Sequence, residues 1–183
     1  MIEWPRRKVL MAMGAAAVSA PVGNAIAARR PIAGMEPEPW FAETTGDLRK
    51  DLKAASDTNK VLALIWEQHG CEYCHQMHDV ALKQPELIAL GKKRFHVLQM
   101  DLWGDREFID FDGEKLSEAK IARGLAVRGT PSTVFYDETG DLVFRMPGYA
   151  SPEIFFLVYQ YVDEEGYQSA SLQDWAKLKY GAN

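Results

Sequence analysis

Six apolar residues in a row, Val61-Leu62-Ala63-Leu64-Ile65-Trp66, end at Glu67-Gln68-His69-Gly70, and two cysteines follow at once in Cys71-Glu72-Tyr73-Cys74. A run of that length without polar alternation reads as a strand covered on both faces. From Glu72 to Lys83 the pattern turns helical, with Met77, Ala81 and Leu82 on the core side. The cysteines therefore stand where a buried strand hands over to a helix. A strand of this kind needs layers above and below its sheet.

The remaining pattern supplies those layers. Thr45-Gly46-Asp47-Leu48 opens a helix with Leu48, Leu52 and Ala55 on one face, ended by Asn59-Lys60. Gln84-Pro85 breaks the helix that carries the cysteines, and Pro85 starts another through Leu90. Phe95 to Asp101 reads as a second strand. Ser117 to Leu125 is a short helix with Ser117 as its cap. Ser132 to Asp137 and Leu142 to Arg145 form a hairpin about the turn Glu138-Thr139-Gly140-Asp141. Ser151 to Asp163 is a helix with Ile154, Leu157, Val158 and Tyr161 inside, and Ser171 to Tyr180 is a polar terminal helix. A βαβ unit followed by an antiparallel hairpin and a helix predicts an α/β fold with a mixed central β-sheet and helices on both faces.

Between these elements, residues 102–116 are acidic and read as an inserted surface loop. Asp110, Asp112 and Gly113 hint at a calcium loop, but that register puts Phe108 at the first ligand position and Ala119 at the twelfth. Charge excludes another class. With 21 Lys and Arg against 26 Asp and Glu, the net charge is −5, so nucleic acid is not the expected partner. The chain has only two cysteines, too few for a disulfide-stapled miniprotein or a four-cysteine zinc site. A loop closed over so short a span removes little chain entropy, which points away from a purely structural disulfide.

Residues 1–27 have the layout of an export signal. Arg6-Arg7-Lys8 is a basic cluster, Val9 to Val18 a short apolar run, and Ala25-Ile26-Ala27 a small-residue cleavage site. Arg6-Arg7 resembles a twin-arginine signal, although Pro5 and Val9 depart from the usual residues there. The expected location is the periplasm after cleavage. Residues 28–42, with Pro31, Pro37 and Pro39, read as a linker. A folded domain over residues 43–165 and a helical extension over 166–183 complete the organisation.

The position of the cysteines carries chemistry. The first turn of a helix offers free N–H groups and the positive end of its dipole, so a thiolate at Cys71 is stabilised and its pKa lowered. Cys74, one turn later, is expected to be more buried. Cys71 can attack a disulfide, and Cys74 can then attack Cys71 to release the reduced product; the reverse order oxidises. About 60 residues on, Gly129-Thr130-Pro131 opens a strand. Proline at a strand start lacks a donor. A cis bond there leaves the Thr130 backbone facing the cysteines, free to pair with an extended substrate segment.

These features resemble the thioredoxin superfamily. The residues that carry the likeness are Cys71-Glu72-Tyr73-Cys74 after a buried strand, Val127 to Phe135 around Thr130-Pro131, and Gly148 before the last core helix; they span about Asp47 to Asp163. Within the superfamily the chain looks most like periplasmic SoxW-type thioredoxins of sulfur-oxidising bacteria, through Glu67-Gln68, the insert from Trp103-Gly104-Asp105-Arg106-Glu107 to Asp110-Phe111-Asp112-Gly113, and Met146-Pro147-Gly148-Tyr149. The resemblance implies a thioredoxin fold, a cis Pro131, Cys71 as nucleophile and Cys74 as resolving thiol, with Thr130 at the substrate edge. It implies no cofactor beyond the redox-active disulfide. Its partners would be protein disulfide substrates and a membrane thiol–disulfide electron donor, met by a monomer. Many thioredoxins carry a buried Asp six residues before the first cysteine; here that place is Ile65, and Glu67 is the nearest carboxyl candidate for proton transfer with Cys74, unless solvent takes it.

Other readings remain beside this one. A disulfide oxidase or isomerase would use the same residues. Cys71-x-x-Cys74-His75 also spells a haem attachment site, but a buried strand before it and Thr130-Pro131 after it would then go unexplained. Cys71, Cys74, His75 and His78 could offer zinc ligands, yet His75 points about 100° away from Cys74 around a helix. Both histidines are expected to be solvated helix residues.

Overall fold

Strand β1 (Val61–Glu67) explains why its sequence does not alternate. Successive side chains point to opposite faces of a strand, and here both faces are covered. Ala63 and Ile65 join a core with Phe95, Val97, Phe135, Phe155 and Tyr159. Leu62, Leu64 and Trp66 join a second core with Leu48, Leu98, Phe108, Ile121 and Val134. Trp66 is fully buried, as packing alone would have it. The computed structural model describes residue 31 and residues 35–181; the expected export signal lies outside them.

The order is α1 (Leu48–Ser56), β1, α2 (Glu72–Asp79), a 3-10 turn (Ala81–Lys83), α3 (Pro85–Arg94), β2 (Phe95–Asp101), β3 (Glu107–Ile109), β4 (Lys115–Ser117), α4 (Glu118–Gly124), β5 (Ser132–Tyr136), β6 (Leu142–Pro147), α5 (Pro152–Asp163), a second 3-10 turn (Gly166–Gln168) and α6 (Leu172–Tyr180). The main sheet runs β2-β1-β5-β6. β1 and β2 are parallel, and β5 is antiparallel to both β1 and β6. Side chains from α2, α3 and α5 fill one face, and those from α1 and α4 fill the other. This is the mixed sheet with helices on both faces that the pattern predicts.

Three local readings change. Residues 102–116 are not a plain loop: β3 and β4 pair as a small hairpin, with Phe108 and Leu102 buried beneath it. The acidic residues of the stretch had masked those two apolar anchors. Ser117 holds the cap position of α4 but makes no side-chain cap bond; Glu118 is turned inward instead. In α5 the buried side is Phe155, Val158, Tyr159, Tyr161 and Val162, while Ile154 is exposed. That helix is apolar nearly all round, so periodicity alone did not fix its face. Among the described residues, no helix is long and apolar enough to cross a membrane.

The stretch Met35–Ala42, within the predicted linker, lies against the domain. Phe41 is buried in the core of α2, α3 and α5, and the Ala42 N–H donates to the Val97 carbonyl at 2.8 Å. The Trp40 ring presses on Gly91 of α3, where a Cβ would overlap it, so glycine is required there by close approach.

Candidate active site

Cys71 and Cys74 are joined in a disulfide with their Cα atoms 5.2 Å apart. Cys71 is the N-cap of α2 and its sulfur accepts the Cys74 N–H at 3.1 Å. That N–H is one of the donors a helix leaves unpaired in its first turn. In the reduced protein the same donor and the helix dipole stabilise a thiolate on Cys71. Cys71 retains 7% exposure and Cys74 none. Glu72 in the first turn and Tyr73 are both exposed beside the pair.

The Thr130–Pro131 bond is cis. β5 starts one residue later, with Ser132 opposite Trp66 in the register of β1. Pro131 is thereby brought to the same end of the sheet as the loop carrying Cys71. Its carbonyl accepts the Gly148 N–H at 2.8 Å, which ties it to the end of β6. A cleft lined by Arg128, Thr130, Pro131 and Arg145 opens beside it, and a second cleft, lined by Trp103, shares Ala126, Val127 and Arg128 with it.

One helical turn past Cys74 is a polar cluster. Glu67 ends β1 with no exposed surface. Its Oε1 lies 2.7 Å from His78 Nε2, and its Oε2 accepts from Gln99 Nε2 at 2.5 Å. His78 Nδ1 lies 3.0 Å from Glu38 Oε1. An imidazole held between two carboxyl groups uses both nitrogens as donors only when protonated. Burial opposes that charge, but the hydrogen bonds and fields of Glu67 and Glu38 outweigh it and raise the His78 pKa above its ordinary value.

The cluster corrects two expectations. His78 is buried rather than solvated; helix spacing puts it on the same face as Cys74, four residues earlier, and that face turns inward. Glu67 is not solvated: it has no exposed surface, and its two oxygens face His78 and Gln99. His75 is exposed, as expected. Both His78 nitrogens face carboxyl groups, Nε2 toward Glu67 and Nδ1 toward Glu38. Ile65, in the place of the usual buried Asp, belongs to the apolar core. Sequence reasoning missed Glu38 and Met35, which lie in the proline-rich stretch where no periodicity marks them.

The profile of the thioredoxin-like domain matches residues 48–163. The chain belongs to the thioredoxin-like domain family. Similar solved structures include a thioredoxin-fold protein from Helicobacter pylori (23% identity, covering 72% of this chain and 97% of that one, TM-score 0.59). A thioredoxin from Thermus thermophilus aligns at 24% identity over 64% of this chain and 84% of that one, with a TM-score of 0.51. A putative disulphide-isomerase from Bacteroides thetaiotaomicron aligns at 21% over 68% and 91%, also at 0.51. No curated protein sequence matches the chain significantly. The likenesses carry the fold; closeness to SoxW-type proteins rests on the sequence features alone. A disulfide-forming Cys71/Cys74 pair at the head of α2 makes this thioredoxin-like domain a thiol–disulfide oxidoreductase.

Proposed function

We propose that the chain is an exported reductase of protein disulfides. Cys71 is the nucleophile and Cys74 the resolving thiol. The observation that carries this reading is the disulfide itself: Cys71, which keeps 7% exposure, caps a helix N-terminus, and the fully buried Cys74 lies one turn on. The Cys71 thiolate attacks one sulfur of the client disulfide; that S–S bond breaks and one client thiolate leaves. Cys74, having lost its proton, attacks Cys71; the mixed disulfide breaks, the second client thiolate leaves and the Cys71–Cys74 bond forms. Two electrons pass to the client, and its two sulfurs take up protons.

Thr130 and Pro131 form the edge where an extended client segment pairs. Location at the same end of the sheet as the cysteines supports this role. The basic cluster, short apolar run and small-residue site of residues 1–27 support export to the periplasm. No cytosolic reductase reaches that compartment, so electrons would come from a membrane thiol–disulfide donor, to a monomeric acceptor without a cofactor. Sulfur-compound oxidation is the setting that the SoxW-type features suggest.

The test is insulin reduction by the full chain with dithiothreitol. The wild type accelerates precipitation, Cys71→Ser abolishes it and Cys74→Ser accumulates mixed disulfides. A wild type no faster than dithiothreitol alone rules the reading out. A redox titration sets direction: a potential near about −270 mV fits a reductase and one near about −120 mV an oxidase.

A further inference from the structure

The N-terminal stretch of the domain is anchored at Met35, Glu38, Trp40, Phe41 and Ala42. Met35 is 3% exposed and forms one apolar cluster with Cys71 and Cys74. Its carbonyl accepts from Gln99 Nε2 at 3.4 Å. Glu38 is held by His78 at 3.0 Å. Trp40 Nε1 donates to the Leu82 carbonyl at 3.3 Å while its ring rests on Gly91. The anchors thus fall on β2, α2, the 3-10 turn and α3. A connector that only spanned the distance to a distal segment would need none of them.

We propose that Met35–Ala42 is a strap that positions the redox centre: Met35 seals Cys74 from solvent, and His78, through Glu38, holds the strap in place. This rests on the thiol–disulfide reading above. Cys74 is the last thiol to react in the cycle. If it were open to solvent, a second disulfide or an oxidant could capture it before it resolves the mixed disulfide. An apolar cover also raises a thiol's pKa, which keeps Cys74 protonated and inert until the mixed disulfide forms beside it. Methionine suits that task, being flexible enough to pack against sulfurs whose positions change during exchange. His78 and Met35 touch no client; Met35 acts through Cys74 and His78 through Glu38, and both are positioning residues.

The experiment uses the full chain with Cys71→Ser, so that Cys74 is the only thiol. Its alkylation by iodoacetamide is followed by mass spectrometry from pH 6 to 10. Adding Met35→Ala is expected to speed alkylation at least threefold at a fixed pH and to move the midpoint of the rate–pH curve down. Met35→Leu, which restores an apolar cover, is expected to return the parent rate. Glu38→Gln, which weakens the latch without touching the cover, is expected to raise the rate in the same direction and serves if Met35→Ala does not fold. A rise below threefold, or a faster rate with an unmoved midpoint, overturns the strap. Insulin reduction by the unsubstituted chain is read alongside: failure there sinks the oxidoreductase reading, whereas normal reduction with an unresponsive Cys74 sinks the strap alone.

Discussion

Two carboxyl groups, Glu67 and Glu118, are both fully buried, and both lie near one end of the central sheet. Glu67 is opposite Asp101 in the β1–β2 register, and the Asp101 N–H donates to Glu118 Oε1 at 2.9 Å. What neutralises them differs. Glu118 is gripped by two guanidinium nitrogens of Arg106, the Nε at 2.9 Å. Glu67 is gripped by His78 and Gln99. Arginine keeps its proton at any pH a protein meets, and histidine does not. The first knot is therefore a permanent staple that ties the β3–β4 insert to the end of β2. The second is conditional, and it lies one helical turn from Cys74. A single fold has placed a fixed charge beside the insert and a titratable one a helical turn from the disulfide.

The sharpest way to break that comparison is to remove the fixed cation. Arg106→Leu leaves Glu118 buried with one backbone donor. Stripping one partner from a buried pair costs about 3–5 kcal/mol. Urea unfolding of the oxidised protein is expected to show a loss of that size. Arg106→Lys is expected to recover only part of it, since an ammonium cannot repeat the two-point grip. A loss near zero would mean that the insert is held by Phe108 and Leu102 alone.

Removing the titratable partner comes next in size. His78→Leu leaves Glu67 with Gln99 and frees Glu38. We expect about 2–3 kcal/mol of destabilisation at neutral pH, below the Arg106 value because His78 already spends part of its attraction against the desolvation of its own charge. The double substitution His78→Leu with Glu67→Leu is expected to regain most of the loss, since an apolar replacement of both members removes the stranded charge. If the double variant is as unstable as the sum of its parts, the two side chains are not coupled.

The contrast between the knots also shows what a sequence makes legible. The unbroken run of β1, the cysteines after it and Thr130-Pro131 were readable because each follows from a local rule: two-sided burial, helix-end electrostatics, a proline where a strand begins. Both knots were harder. Glu118 and Arg106 are twelve residues apart across a hairpin, and Glu38 and His78 are forty apart. Nothing local marks such partners. The one available sign was the spacing of Cys74 and His78, which puts a histidine on the buried face of α2. Glu67 reads as the polar end of a strand, and the segment from Met35 reads as a linker because its prolines hide the apolar anchors Met35, Trp40 and Phe41.

The smallest expected effect is the one that separates the knots most directly. In the oxidised protein no thiol titrates, so a change in stability above neutral pH can be followed at the His78 knot. The folded-state pKa of His78 is raised, burial being outweighed by Glu67 and Glu38. The unfolded chain releases the same proton at about pH 6.5. Between those two values the folded state binds more protons than the unfolded one, so stability falls as pH rises. The contribution is whole below about pH 6.5 and is gone once pH passes the folded value. Tyr136 and Tyr159, whose pKa values are raised by burial, titrate above this window, and Asp47 and Asp137, whose values are lowered, titrate below it. Urea midpoints of the wild type are expected to decline across the window by less than His78→Leu costs, because deprotonation leaves the ring in place. The Arg106–Glu118 staple contributes no slope there. The same midpoints measured in His78→Leu are expected to be flat; an equal decline in both proteins would assign the pH dependence to another group and leave the two knots chemically alike.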